Sequence, residues 1–462
     1  MAALTAIYNA LSALNSFLWG IPILVVLVGG GIVLTFFIGG VQFRRFGFIM
    51  KNTVGTLFDR ERQRELKAKG VTPFQAVTAA LSGTIGTGNI AGVGAAIAIG
   101  GPGALFWMWV CGFLAMSIKF SEVTLCVAYR KKNPSGEGYL AGPLTYMRDG
   151  LGSKSLGIIF SILSLITLTT IAGVHSGAIT DNLETVGVPR LITCVICLLF
   201  VIIIAAGGMK RLIKVTDKLV PAMSLLYIAC ALIVILVNIT HIGTALKLIF
   251  AGAFTGQAAA GGFTGAAVSA TIRIGLARGV FSNDAGLGMQ ATMHAQAEGI
   301  EHPAQQGMWG IFETFLDTVI ICSCTGFMII FTGVWQTGAS GSTLAASAIG
   351  SVLGPAGQYL CLLSLILFAF SSLITISQTV RIQSVTLFNS NALALTLQAV
   401  ILLMIIGGAL TNMDKVFMFT DLGNALVICL NLPSILLLGK QLRKLTKEWF
   451  DSNGRPEALK KE

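Results

Sequence analysis

The chain is written as a succession of apolar runs, each long enough to cross a bilayer. Residues 190–206, RLITCVICLLFVIIIAA, and 393–410, LALTLQAVILLMIIGGAL, are typical. A backbone in lipid must satisfy its own hydrogen bonds, which leaves helices and closed barrels. Barrel strands alternate polar and apolar residues over short segments, and these runs do not, so helices are expected. At roughly 20 residues per span, 462 residues leave room for about ten to twelve spans with short loops. Only 11% of the residues are charged, against roughly 25% in a soluble domain. Water-soluble enzymes are thereby set aside.

The expected fold is an all-α polytopic membrane protein of about eleven transmembrane helices. They fall near 18–42, 74–99, 103–129, 155–183, 189–207, 217–238, 244–279 (interrupted), 306–335, 355–379, 393–411 and 415–439. Loop charges agree with this count. Arg44, Arg45, Lys51, Arg60, Arg62, Arg64, Lys67 and Lys69 share one side with Arg130, Lys131, Lys132, Arg148 and Lys154. Lys210, Arg211, Lys214, Lys218, Lys440, Arg443, Lys444 and Lys447 join them. The other side carries Arg190, Lys247 and Lys415. Positive charge collects in the cytoplasm, so the N-terminus is expected outside and the C-terminus inside a cell membrane. The net charge of +11 is therefore assigned to membrane orientation, and no nucleic-acid partner is expected.

Residues 1–17 lack a basic leader and 20–40 is long enough to span, so no cleavable signal is expected. The connector 43–73 either lies along the interface as an amphipathic helix or is a solvated link. Cys194 and Cys197 stand two residues apart inside a span, with no second pair and no nearby His. They are read as small buried hydrophobes.

Two segments are built to come apart inside a span. Residues 82–101, SGTIGTGNIAGVGAAIAIGG, carry Gly83, Gly86, Gly88 and Gly92 beside Thr84, Thr87 and Asn89. Residues 251–266, AGAFTGQAAAGGFTGA, are similarly rich in glycine. With the first helix set apart, ten spans divide five and five, and each Gly-rich segment opens one half. An odd number of spans per half inverts the second half in the membrane. Interrupted helices at matching places in two halves point to an inverted-repeat transporter and its binding site. The divisions expected are 1–73, 74–240, 241–440 and 441–462. Unwound backbone at membrane depth offers carbonyls to a cation and N–H groups to an anion. Close helix packing through small residues is the alternative use of these glycines. No phosphate-loop GK[ST] and no cluster of metal ligands or of nucleophile and base appears, so an enzyme is not expected.

Several stretches resemble the alanine or glycine:cation symporter family, also called sodium:alanine symporters. They are VTPFQAVTAALSGTIGTGNIAGVGAAIAIGGPGALFWMW, GGFTGAAVSATIRIGLARGVFSNDAGLG and HPAQQGMWGIFETFLDTVIICS, with QFRRFGF and AGPLTYM in support. The resemblance implies the leucine-transporter fold with one added N-terminal helix. It implies that the N–H groups of Thr87 and Gly88 bind a substrate carboxylate, with Thr84, Gly86 and Asn89 around them. Gly261, Gly262, Phe263 and Thr264 would offer carbonyls to the substrate ammonium. Sodium would be held by Ser371 and Ser372 and by carbonyls of Phe368, Ser82 and Ile85. The chain departs from the family pattern in FAFSSLITISQTV, where Thr375 and Ile376 stand in place of Gly and Trp. It departs again in AGVHSGA, where the family pattern is Asn-Met-Val-Gln and Val174 and His175 occupy its last two places, so that His stands in place of Gln.

Charges inside spans are candidates for function. Lys119 and Glu122, at i,i+3, are expected to pair. Glu313 and Asp317 lack a basic neighbour in their own span. Arg273, Arg278 and Asp284 are read as a gate, and His175 as either a helix-to-helix hydrogen bond or a substrate contact. The function expected is sodium-coupled import of a small neutral amino acid, alanine-like with serine or glutamine as further substrates, by alternating access. Proton coupling in the same fold is the alternative, and a channel a more distant one. The expected partners are the amino acid, co-transported sodium and the lipid bilayer, and a monomer suffices.

Overall fold

The computed structural model describes residues 2–134, 138–255, 264–411 and 413–453. Among them the only strands are the antiparallel pair Lys131–Lys132 and Tyr139–Leu140. Eight helices are long and apolar enough to cross a membrane, nine if one bent pair counts as a single span. Arg190–Ala206 and Ile239–Thr255 are apolar but shorter, so this count does not establish the expected eleven. Gly103–Ala128 is buried over 83% of its apolar stretch, while Asn391–Leu410 is buried over 33%. The former is central and the latter peripheral, with Leu395, Leu403 and Leu410 facing outward.

Boundaries shift for physical reasons. The first apolar span runs Tyr8–Phe37 rather than 18–42, because Gly39 and Gly40 both take left-handed backbone (φ 72° and 65°) and stop the helix. Gly208–Val237 begins before 217, because Lys210, Arg211, Lys214 and Lys218 are good helix formers and extend it beyond its apolar core. Ser342–Phe388 contains a turn at Gly354 (φ 62°, ψ −155°), followed by Pro355. It is therefore two helices, and the second carries residues 368–376. The connector folds into Val41–Arg44, Phe46–Asn52, the 3-10 turn Val54–Phe58 and Arg60–Lys69. Ile49 is buried, and the Phe46 ring meets Phe315 edge-on at 4.9 Å.

The first break behaves as its composition demands. Thr72 caps Pro73–Thr84 reciprocally: its Oγ1 accepts from Gln75 N, and its N–H donates to Gln75 Oε1, both at 3.1 Å. The helix ends at Thr84, where Ile85 turns extended (φ −70°, ψ 93°). Helical structure resumes as a π turn, Gly88–Gly92, running into Val93–Gly100. The two pieces are bent by 52°. Glycine also permits close backbone contact here. A Cβ on Gly94 would lie 2.0 Å from the Gly341 carbonyl oxygen, and one on Gly103 would lie 2.2 Å from Gly252 backbone.

The described residues hold an irregular segment other than the glycine-rich one. Gly261, Gly262 and Phe263 lie outside the described residues, and Thr264 opens an uninterrupted helix, Thr264–Asn283. The described backbone instead leaves helical form at 284–290. Asp284, Gly286 and Gly288 are left-handed there (φ 57°, 87° and 67°). Asn283 Oδ1 accepts from Ala285 N at 3.0 Å, and Asp284 Oδ2 from Gln290 N at 2.9 Å. The short helix Ala291–His294 follows. Phe281 and Ser282 are the residues packed on Gly88, and Thr264 is about 26 Å from Phe281 along the helix axis. Thr264 is thus about a bilayer core away from the first break, and among the described residues the segment that faces that break is 284–290.

Candidate substrate and cation site

An unbroken helix would send the Gly86 N–H to the Ser82 carbonyl. Here that N–H donates to Asn89 Oδ1 at 2.9 Å, so the Ser82 carbonyl leaves the ladder. It accepts instead from Ser371 Oγ at 3.1 Å. Ser371 Oγ also lies 2.8 Å from the Phe368 carbonyl, and Ser372 Oγ lies 3.1 Å from it. Ser82 Oγ is hydrogen-bonded to Thr375 Oγ1. All of these residues are buried. The structure therefore gathers four of the five residues assigned to sodium, and Ile85 turns extended directly beside them. The donors are neutral oxygens. No group of three His, Cys, Asp or Glu with metal-binding geometry occurs among the described residues. A neutral oxygen set suits a hard, singly charged cation, and the residues present fit sodium as cargo.

Gly86 stands between this oxygen cluster and a small cavity. A Cβ there would lie 2.7 Å from Ser372 Oγ and 2.7 Å from His175 Cε1. The cavity, about 20 Å³, is lined by Thr84, Gly88, His175, Phe281, Gln290 and Ile376 among others. A volume of that size holds about one water, so the site is closed around its centre. His175 Nδ1 lies 3.2 Å from Thr87 Oγ1, and its ring stacks on Phe281 at 6.4 Å. The first N–H groups of a helix have no partner within it, and Thr87 and Gly88 occupy that position here. Thr84, Gly86, Thr87, Gly88, His175 and Ile376 thus come together.

Asn89 is held at both ends. Its Oδ1 takes the Gly86 N–H, and its Nδ2 donates to Asp317 Oδ1 at 2.7 Å. Asp317 Oδ2 accepts from Ser282 Oγ at 2.6 Å and Thr318 Oγ1 at 2.8 Å. No ion pair reaches Asp317 among the described residues. Phe281, Gln290 and Asn424 also line the cavity and had no assigned role in the sequence reading. The turn composition of NDAGLG at the end of an apolar run was the signal for the first two.

The buried charges pair differently from expectation. Lys119 Nζ reaches Asp284 at 3.3 Å and Glu313 at 3.7 Å, not Glu122. Glu122 Oε1 accepts instead from Asn431 Nδ2 at 2.8 Å. The second break carries Asp284 to Lys119, and two carboxylates across the packing outbid one on the same helix. Glu313 is also bonded to His294 Nε2 at 2.6 Å, whose Nδ1 receives Gln306 Nε2 at 2.9 Å. Arg278 pairs with Asp421 at 2.7 Å, so Arg278 and Asp284 belong to separate clusters rather than one gate.

Two broken segments meeting at a closed, buried site beside a pocket of neutral oxygens define a membrane carrier rather than an enzyme. The chain belongs to the sodium:alanine symporter family, whose model matches residues 4–461. An uncharacterized transporter of Bacillus subtilis, YflA, is 37% identical over 95% of this chain and 93% of its own. The sodium/alanine symporter AgcS of Methanococcus maripaludis is 35% identical over 79% of this chain and 80% of its own. The probable sodium/glutamine symporter GlnT of Bacillus subtilis is 33% identical over 94% and 89%. Among solved structures, MhsT in complex with L-phenylalanine superposes with a TM-score of 0.56 at 14% identity, over 80% of this chain and 97% of that one. The fold is that of leucine-transporter-type carriers.

Proposed function

We propose that this protein is a sodium-coupled symporter of a small neutral amino acid, working by alternating access, for which a monomer suffices, with its N-terminus outside the cell membrane. The observation that carries the reading is the convergence of Ser82 O, Phe368 O, Ser371 Oγ and Ser372 Oγ one glycine away from the cavity. Thr87 and Gly88 N–H groups take the substrate carboxylate, favoured by the positive end of the following helix. His175, Ile376 and Phe281 bound the space beside it. Carbonyls of the 284–290 segment are the acceptors for the ammonium. The sodium-dependent names of AgcS and GlnT agree with this assignment.

The test is uptake into proteoliposomes by a Ser371→Ala, Ser372→Ala double variant. Removing two oxygens should raise the sodium concentration for half-activation by about tenfold or more, the equivalent of about 1.4 kcal/mol. An unchanged sodium dependence would assign the ion elsewhere. A second reading, proton coupling, is favoured by one feature. Asp317 is a fully buried carboxylate facing only neutral donors, one residue removed from the break through Asn89. Uptake that follows a pH gradient with sodium absent would select it.

A further inference from the structure

The wall of the cavity holds two carboxamides whose oxygens have no partner among the described residues. Gln290 and Asn424 are 2% and 1% exposed, both line the cavity, and neither Gln290 Oε1 nor Asn424 Oδ1 accepts a hydrogen bond. A buried acceptor left unpaired is costly. An apolar wall would carry no such cost, and Leu168, Ile171, Leu287 and Ile376 already supply one elsewhere around the same space. Thr84, His175 and Asp284 also line the space, but each of them has a hydrogen-bond partner, so the two amide oxygens stand apart as unpaired acceptors.

Their placement is supported by the backbone. Gln290 closes the second break, pinned there by its N–H bond to Asp284 Oδ2 at 2.9 Å. Across from it the first broken span has Gly83, where a Cβ would come within 2.4 Å of Gln290 Nε2. Glycine at 83 thus clears the room that the Gln290 amide occupies. Asn424 comes from the Met413–Leu437 helix, so the pair is assembled from separate parts of the chain.

Resting on the symporter reading above, we infer that Gln290 and Asn424 read the substrate side chain and select neutral amino acids bearing a hydroxyl or carboxamide. A primary amide presents both a donor and an acceptor, and a hydroxyl or a second amide complements both. A site built to hydrogen-bond a substrate group rejects the analogue that lacks it far more strongly than an apolar pocket rejects an added hydroxyl. The α-carboxylate is accounted for at Thr87 and Gly88, which leaves these two amides for the remainder of the substrate.

The experiment uses the full chain in proteoliposomes with an inward sodium gradient and labelled serine or alanine as tracer. Competitors are taken in near-isosteric pairs: serine against 2-aminobutyrate, and glutamine against methionine. The polar member of each pair is expected to inhibit at a concentration about tenfold or more below that of its apolar partner. Asn424→Leu and Gln290→Leu should each bring that ratio towards one. A wild-type ratio near one, or favouring the apolar member, overturns the inference without any variant having to fold. So does an equal weakening of both members in the variants, which would assign the amides to the ammonium. Sodium-driven uptake with no such preference leaves the symporter reading standing. No sodium-driven uptake of any amino acid overturns that reading, and this inference with it.

Discussion

Gly86 has two neighbours at the distance where a side chain would begin, Ser372 Oγ on one side and His175 Cε1 on the other. Gly86→Ala must displace one of them. Overpacking of this kind costs about 1–3 kcal/mol, which corresponds to about 5- to 150-fold in affinity. Sodium and amino-acid binding should both weaken by that order in the purified variant, measured by isothermal titration. Gly92→Ala is the control, since a Cβ there meets nothing closer than 4.0 Å. Equal behaviour of the two variants would remove Gly86 from the site. At this scale the sequence was legible at 82–89, where a run of Gly, Thr and Asn inside an apolar span pointed to unwound backbone. The partner of Asn89 was not legible, because Asp317 stands 228 positions away and no periodicity joins them.

At the scale of elements, composition left one break unmarked. Most of the glycine-rich stretch 252–265 lies outside the described residues, Thr264–Asn283 runs unbroken after it, and glycines 275 and 279 serve close packing on Ala104 and Cys111. The break described at 284–290 has fewer glycines. It is shaped by side chains: Asn283 and Asp284 fold back on its own N–H groups, and Asn431 Nδ2 donates to the Gly286 carbonyl at 2.9 Å. Lys119 then ties this segment to Glu313. Lys119→Met leaves two buried carboxylates without their cation, a loss of about 3–5 kcal/mol. Thermal melting in detergent should show a large drop, whereas Glu122→Gln, which keeps an acceptor for Asn431 Nδ2, should melt close to wild type. Similar losses in both would restore the pairing of Lys119 with Glu122.

For the whole molecule, one sodium moving with one zwitterion carries one net charge. That charge gains about 2.3 kcal/mol across 100 mV, and a tenfold sodium gradient adds about 1.4 kcal/mol. The sum sustains roughly 400-fold accumulation of the amino acid. Substrate should therefore evoke a current in liposomes with sodium and equal pH on both sides, and none when choline replaces sodium. A current that persists in choline and follows pH transfers the coupling to Asp317. The contact of Gly94 with the Gly341 carbonyl has its own consequence at this scale. Two segments 247 positions apart (341 − 94) meet with no room for a methyl, so a methyl there acts as a doorstop. It penalises only conformations in which the two are closed together. If that penalty is about 1–3 kcal/mol, Gly94→Ala shifts the open-to-closed ratio about 5- to 150-fold. Amide exchange at 85–92 should quicken while turnover falls, and unchanged exchange would mean that this contact persists throughout the transport cycle. A carrier can thus be jammed open by its smallest possible side-chain addition, at a position that touches none of what it carries.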